Sequence, residues 1–239
     1  MKLLAIDSSG LVASAAILEN ENLLAEYTVN FKKTHSETLL PMIDEIAKMT
    51  EQDLATLDAV AIAAGPGSFT GLRIGSATAK GLALALKVPI VEVPTLAGLA
   101  MNLFKAKGLI CPVMDARRQQ VYSGIYRFEG DKLVTVRDQE PVAASDLIAE
   151  LNEMEGGLAS EGVIFLGDGS KVVKPFAEKD LKVPYTFAPA NANRQRAASV
   201  GALAETYFAE GRYVTAAEHA PIYLRKSQAE QERERKGLV

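Results

Sequence analysis

The chain has 239 residues, 48% of them hydrophobic, a formal net charge of −4, one cysteine and two histidines. That is ample apolar material for one large globular domain or two small ones, and it excludes an internal disulfide framework or a thiolate metal cluster. The basic residues fall in scattered pairs, Lys32-Lys33, Arg117-Arg118 and Arg225-Lys226, rather than in the stripe that grips a phosphate backbone, so nucleic acid is expected to be met only through a partner.

No run approaches the ~20 apolar residues of a membrane span, and Asp7 interrupts the apolar start too early for a signal peptide, so a cytoplasmic protein is expected. Lys2 to Ile6 enters Asp7-Ser8-Ser9-Gly10, and Val12 to Leu18 leads through Asn20-Glu21-Asn22 into Leu23 to Val29, which predicts three strands joined by tight turns. Thr34-His35-Ser36-Glu37 has capping-box spacing ahead of Leu39, Ile43, Ile46 and Ala47. A helix to about Met49 follows, kinked at Pro41 or starting near Leu40.

Ala59 to Ala64 is an uninterrupted apolar run, as expected of a strand covered on both faces, and Gly65-Pro66-Gly67 stops it. From Gly71 to Lys87 the spacing of Leu72, Ala79, Leu82 and Leu86 predicts a helix of about four turns. Gly71, Gly75, Ala79 and Ala83 form one stripe of small side chains down it, and Ala77, Gly81 and Ala85 form a second. Glycine inside a helix costs up to ~1 kcal/mol relative to alanine, so close approach to something must compensate: either the chain's own sheet or a helix of another chain. A strand at Pro89 to Val93 and a helix from Thr95 to Phe104 complete the half.

After Lys105-Ala106-Lys107-Gly108 the order begins again. Leu109 to Met114 runs into Asp115 as Leu3 to Ile6 runs into Asp7, Gln120 to Phe128 turns at Glu129-Gly130-Asp131 into Lys132 to Val136, and Ser145 to Met154 is a helix with a serine cap. Val163 to Leu166 then enters Gly167-Asp168-Gly169, the counterpart of Gly65-Pro66-Gly67. The pattern reads as an ancient duplication of a βββαβα unit. Arg194 to Glu210 is a further helix, Pro221 to Arg225 an apolar patch, and the mixed charges of Gln228 to Lys236 suit a solvated helix or a partner-binding tail.

The chemistry is mostly exclusions. Gly65 to Gly71 lacks the GK[ST] ending of a Walker loop and is one residue too long for a dinucleotide fingerprint, leaving a structural turn or an anion site. Pro66 spoils a nucleophile elbow at Ser68, and neither His35 nor His219 has a metal-ligand neighbour at i+3 or i+4. Asp7 and Asp115, each ending the first strand of a half, either cap their turns or face each other across a cleft to hold magnesium through water.

IDSSG through Asp7, HSETLLP from His35 to Pro41, GPGSFTGLRIG from Gly65 to Gly75, MDARRQQVY from Met114 to Tyr122 and PIYLR from Pro221 to Arg225 together resemble the TsaB (YeaZ) family of bacterial tRNA threonylcarbamoyladenosine biosynthesis proteins, over nearly the whole chain. The resemblance implies an α/β, duplicated actin/Hsp70-like ATPase (ASKHA) fold with two βββαβα lobes, 1–106 and 107–239, the segment from about Ala217 being placed to cross back to the first. It implies a non-catalytic scaffold that binds TsaD and with it the ATPase TsaE, pairs with itself when alone, and meets tRNA only through the complex. TsaD carries an H-x-x-x-H metal pair where Thr95 and Leu99 stand here, so neither a catalytic residue nor a metal is expected. Leu39, Ile43, Ile46, Gly71, Leu72, Gly75, Ala79 and Ala83 are then the candidate partner surface. Asp7, Ser8, Ser9, Gly65, Gly67, Asp115, Gly167 and Gly169 are the remains of a nucleotide site, with at most weak ATP or ADP and magnesium. An actin-fold ATPase or small-molecule kinase using Asp7 and Asp115 is the alternative. A peptidase would need a nucleophile and base that are not visible.

Overall fold

The computed structural model describes residues 1–31, 34–154, 157 and 159–225, so the pair Lys32-Lys33 and the charged stretch from Gln228 to Lys236 lie outside the described residues. Strands β1 (Lys2–Asp7), β2 (Ala13–Glu19) and β3 (Asn22–Val29) form an antiparallel meander. Asn20 and Glu21 take positive φ at its second turn, the backbone hand that matches the twist of paired strands. After α1 (His35–Met49), β4 (Ala59–Gly65) lies parallel to β1. After α2 (Phe69–Leu86), β5 (Ile90–Pro94) lies parallel to β4, giving the order β3-β2-β1-β4-β5. The short helix α3 (Thr95–Ala100) ends the half.

The second half repeats this position by position. Strands β6 (Leu109–Asp115), β7 (Gln120–Glu129) and β8 (Lys132–Ala143), helix α4 (Ala144–Glu153), β9 (Val163–Leu166), α5 (Ser170–Asp180), β10 (Tyr185–Phe187) and α6 (Ala197–Ala209) build a sheet of order β10-β9-β6-β7-β8, the first order read backwards. This is the duplicated actin/Hsp70-like ATPase fold, each βββαβα unit being extended by one strand and one helix.

Alternation along the strands decides which layer each side chain joins. Leu4 and Ile6 face α1 and α2, packing with Met42, Ile43, Ile46 and Ala79. Leu3 and Ala5 face the other way, into a core shared by both lobes that holds Leu96 and Leu99 of α3, Val200 and Leu203 of α6, and Ile110 and Leu166 of the second sheet. The last helices are exchanged: α3 packs on β6 and β7, and α6 packs on β1 and β2. The core between the lobes holds both of these helices. A third core, including Phe165, Leu147 and Val173, lies under α4 and α5.

The anchoring of α6 is electrostatic as well as apolar. Its first N–H groups, at Ala197 and Ala198, donate to Ser14 Oγ (2.8 Å) and Glu26 Oε1 (3.0 Å), and the other oxygen of Glu26 accepts from Arg196 Nε at 3.0 Å. A nearly buried carboxylate thus sits at the positive end of the helix and bears a guanidinium, the arrangement in which charge-assisted bonds are strongest.

Some local expectations need correction. Thr34 holds the cap position of α1 but its side chain makes no cap bond, and α1 begins at His35 with Pro41 inside it. Ser145 falls within the first turn of α4, where it bonds Asp146 rather than a helix amide. Strand β8 continues to Ala143 because β7 offers it a partner that far. Helix α5 forms with Pro175 inside it and a lysine-rich face, features that mask its pattern in the sequence.

Candidate functional site

The C-terminal ends of β1, β4, β6 and β9 meet at a cleft of about 1120 Å³, lined by Ser9, Gly67 and Ser68 from the first lobe and by Asp115, Arg117, Arg118 and Asp168 from the second. Ser68 accepts the Gly71 N–H and so caps α2 at the cleft's edge. Arg117, Arg118 and Gln119 all take left-handed φ, an uncommon run for residues with side chains. Hydrogen bonds from Ala116 N–H to Gln120 O (3.0 Å), Gln120 N–H to Arg117 O (3.1 Å) and Ala144 N–H to Gln119 O (3.0 Å) hold it.

The two aspartates do not face each other. Asp7 is 1% exposed and turned inward, accepting from Ser9 N–H (2.9 Å) and Ser9 Oγ (2.6 Å). Burial pushes its carboxyl up to about 6 against the bonds from Ser9, which favour the charged form. Asp115 reaches the cleft but accepts the N–H of Arg117 (2.7 Å), while its own N–H donates to Asp168 Oδ1 (3.2 Å). Both therefore serve their own turns. Burial also raises the Asp168 carboxyl. Among the described residues no group of three His, Cys, Asp or Glu side chains could hold a metal ion.

Of the eight candidate nucleotide-site residues, Ser9, Gly67 and Asp115 line the cleft, whereas Asp7, Ser8, Gly65, Gly167 and Gly169 do not. The volume would admit a nucleotide, but the glycines make room for backbone of the same chain. A side chain at Gly65 would strike the Ile222 carbonyl, at Gly67 the Ser9 carbonyl, and at Gly167 the Val113 carbonyl; at Gly169 it would come within 2.9 Å of Met114. Ser8 Oγ donates to Gly71 O at 2.9 Å. With the glycines so used and Asp7 sealed inward, these residues do not fit a magnesium-nucleotide.

The expected partner surface also needs correction. Leu39, Ile43, Ile46, Leu72, Ala79 and Ala83 are each at most 4% exposed within this single chain. Gly71 and Gly75 lie against Ser8. The first small-residue stripe faces the chain's own sheet, because small side chains are what let α2 lie close to β1 and β4. The second stripe faces outward: Ala77, Gly81 and Ala85 are exposed beside Leu84, which is 67% exposed, and Gly81 has open space where a side chain would go. On the neighbouring α1, Leu40 (53%) and Met49 (76%) are exposed as well. Both stripes of α2 have the same spacing, so spacing alone does not choose this outer face, although Leu84 beside the second is a usable signal.

Two lobes of one topology, a cleft whose glycine turns are filled by internal packing, and an uncovered apolar helix face define an actin/Hsp70-like fold protein whose outer helices, rather than its cleft, are the conspicuous feature. A family model described as TsaD: tRNA N6-adenosine threonylcarbamoyltransferase matches residues 22–233. The chain is 36% identical to the tRNA threonylcarbamoyladenosine biosynthesis protein TsaB of Bacillus subtilis over 76% of this chain and 77% of that one, and 30% identical to TsaB of Haemophilus influenzae over 94% of each. The chain belongs to the TsaB family of tRNA threonylcarbamoyladenosine biosynthesis proteins. The solved structure of YeaZ from Pseudomonas aeruginosa superposes on it with a TM-score of 0.78 at 25% identity, covering 93% of this chain and 99% of that one.

Proposed function

We propose that this chain is a non-catalytic subunit in the synthesis of N6-threonylcarbamoyladenosine on tRNA, binding TsaD through the outer face of α1 and α2 and, with it, TsaE. The observation that carries this reading is the exposed row Ala77, Gly81, Leu84 and Ala85 on α2, with Leu40 exposed on α1. Small residues there permit close helix-to-helix approach, and isolated large apolar groups at its edge supply burial. The transferase likeness of the fold makes pairing with a protein of the same build natural, and two copies of this chain would pair through the same face when TsaD is absent.

The positions that match TsaD's metal pair support a subunit without its own catalysis. Thr95 is fully buried, its Oγ1 accepting the Gly65 N–H at 3.1 Å, and Leu99 is a core residue at 1% exposure; neither offers a nitrogen to a metal. The free thiol of Cys111 is buried and pushed up to about 12, so it supplies no nucleophile.

The test is co-purification with TsaD. Leu84→Glu places a charge on the outer face without touching the core, and it is expected to weaken capture of TsaD about a hundredfold, with the unfolding midpoint unchanged. Capture at the wild-type level would remove α2 from the interface.

A further inference from the structure

We infer that residues 213–225 form a strap that closes the mouth of the interlobe cleft, and that Arg225 is the contact that fastens it. The two lobes are joined on one side by the core around α3 and α6, whose members from both sheets are fully buried. At the cleft mouth the ties are polar. Gln139 of β8 donates to Gly65 O at 2.9 Å and accepts the Leu96 N–H at 3.3 Å, and Arg225 of the strap adds a further tie.

The strap is fixed to the first lobe at successive points. Val214 exchanges both backbone bonds with Ile90 on the edge strand β5 (2.8 and 2.9 Å). The Glu218 carboxylate accepts from Thr215 N–H (2.9 Å) and Oγ1 (2.7 Å), forming a tight turn. That turn delivers His219, wholly buried, with Nδ1 at 2.5 Å from Glu92 Oε1. Ile222 N–H then donates to Ala64 O at 2.7 Å, its own carbonyl lying against Gly65. Tyr223 packs on Phe69 with ring centres 4.6 Å apart, and the Arg73 guanidinium lies 4.1 Å from the same ring.

Only then does the strap cross over. Arg225 Nη1 donates to Ala116 O at 2.7 Å and Nη2 to Gln120 Oε1, both in the second lobe and both flanking the left-handed turn at Arg117 to Gln119. Within residues 213–225, four attachments hold the strap to the first lobe and one side chain holds it to the second, so the crossing at Arg225 is where it lets go. Both acceptors of Arg225 are neutral, so among the described residues no ion pair resists that release. The strap thus lines the cleft between Pro66 and Asp115 with Ile222, Tyr223 and Arg225, and its release both widens the mouth and frees the arginine turn.

The experiment is a distance measurement across the mouth in the full-length chain, with spin labels on Thr70→Cys at the start of α2 and Lys171→Cys at the start of α5, both exposed positions. Cys111 is buried and stays unlabelled. A single narrow distance is expected for the otherwise unaltered chain. Arg225→Ala should raise the fraction at longer distance about tenfold, as loss of a charged donor implies, and Arg225→Lys should fall between. Should Arg225→Ala fail to fold, Arg225→Lys and Tyr223→Ala carry the same reading. A distribution identical to that of the parent in every folded variant would overturn the proposal.

Discussion

Gly71→Val should lower the stability of the chain by about 3 kcal/mol or more, while Gly81→Ala, ten residues further along the same helix, should raise it by roughly 0.5 to 1 kcal/mol. A side chain at Gly71 would strike the Ser8 carbonyl oxygen, and Ser8 cannot retreat because its hydroxyl is bonded to Gly71 O at 2.9 Å and its backbone continues β1. The helix must lift off the sheet or the turn after β1 must shift, and either opens a core in which Ile62 and Ala79 are packed. Gly81 has nothing within reach of an added methyl group, so alanine there only removes backbone freedom from the unfolded chain and favours the helix. Urea unfolding of the two variants against the parent chain decides it. A destabilising Gly81→Ala with a tolerated Gly71→Val would mean that α2 sits on its sheet with the other face inward.

Asp7 makes the second large effect, and it depends on pH. Its carboxyl is ordinarily half-ionised at 3.8 and in the folded chain at about 6, so the native state takes up a proton between those values that the unfolded state does not. Stability from this group therefore rises as pH falls from 6 towards 4, by roughly 3 kcal/mol in all, and is lowest above pH 6, where a carboxylate is held buried. Burial raises Asp168 and Glu150 in the same direction, so the informative quantity is the difference between the parent and Asp7→Asn. Asparagine keeps the acceptor for Ser9 but does not titrate. The gain in urea midpoint between pH 7 and pH 5 should shrink in Asp7→Asn, and an undiminished gain would show that Asp7 is ionised inside the fold at pH 5.

Much of this architecture is legible in the sequence because local signals and burial agree. The apolar run from Ala59 to Ala64 is buried throughout β4, and Ser68 caps α2 where the small-residue helix begins. The duplication is visible in the order of elements, and the matching sheet orders bear it out. What the sequence leaves open is direction. Periodicity places Gly71 to Ala83 and Ala77 to Ala85 on two faces of one helix but cannot say which meets the sheet, and here the inner stripe is the one that touches Ser8. Likewise Asp7 and Asp115 stand at equivalent strand ends, yet one is sealed by Ser9 and the other opens to the cleft. The exchange of α3 and α6 between lobes and the reach of Arg225 back to Ala116 are contacts between distant parts of the chain, for which no local pattern exists.

These outcomes shift the weight of the molecule from its cleft to its outer helices. Glycines that in a nucleotide site would face phosphate are here packed on backbone, and Leu40 of α1 and Leu84 of α2 are left exposed on the outer helices. The most direct measurement is formation of N6-threonylcarbamoyladenosine on tRNA by TsaD and TsaE, with the threonylcarbamoyl adenylate supplied, in the presence and absence of this chain. Modification should require the chain, should survive Gly81→Ala, and should fail with Leu84→Glu. Undiminished modification without the chain would contradict the account.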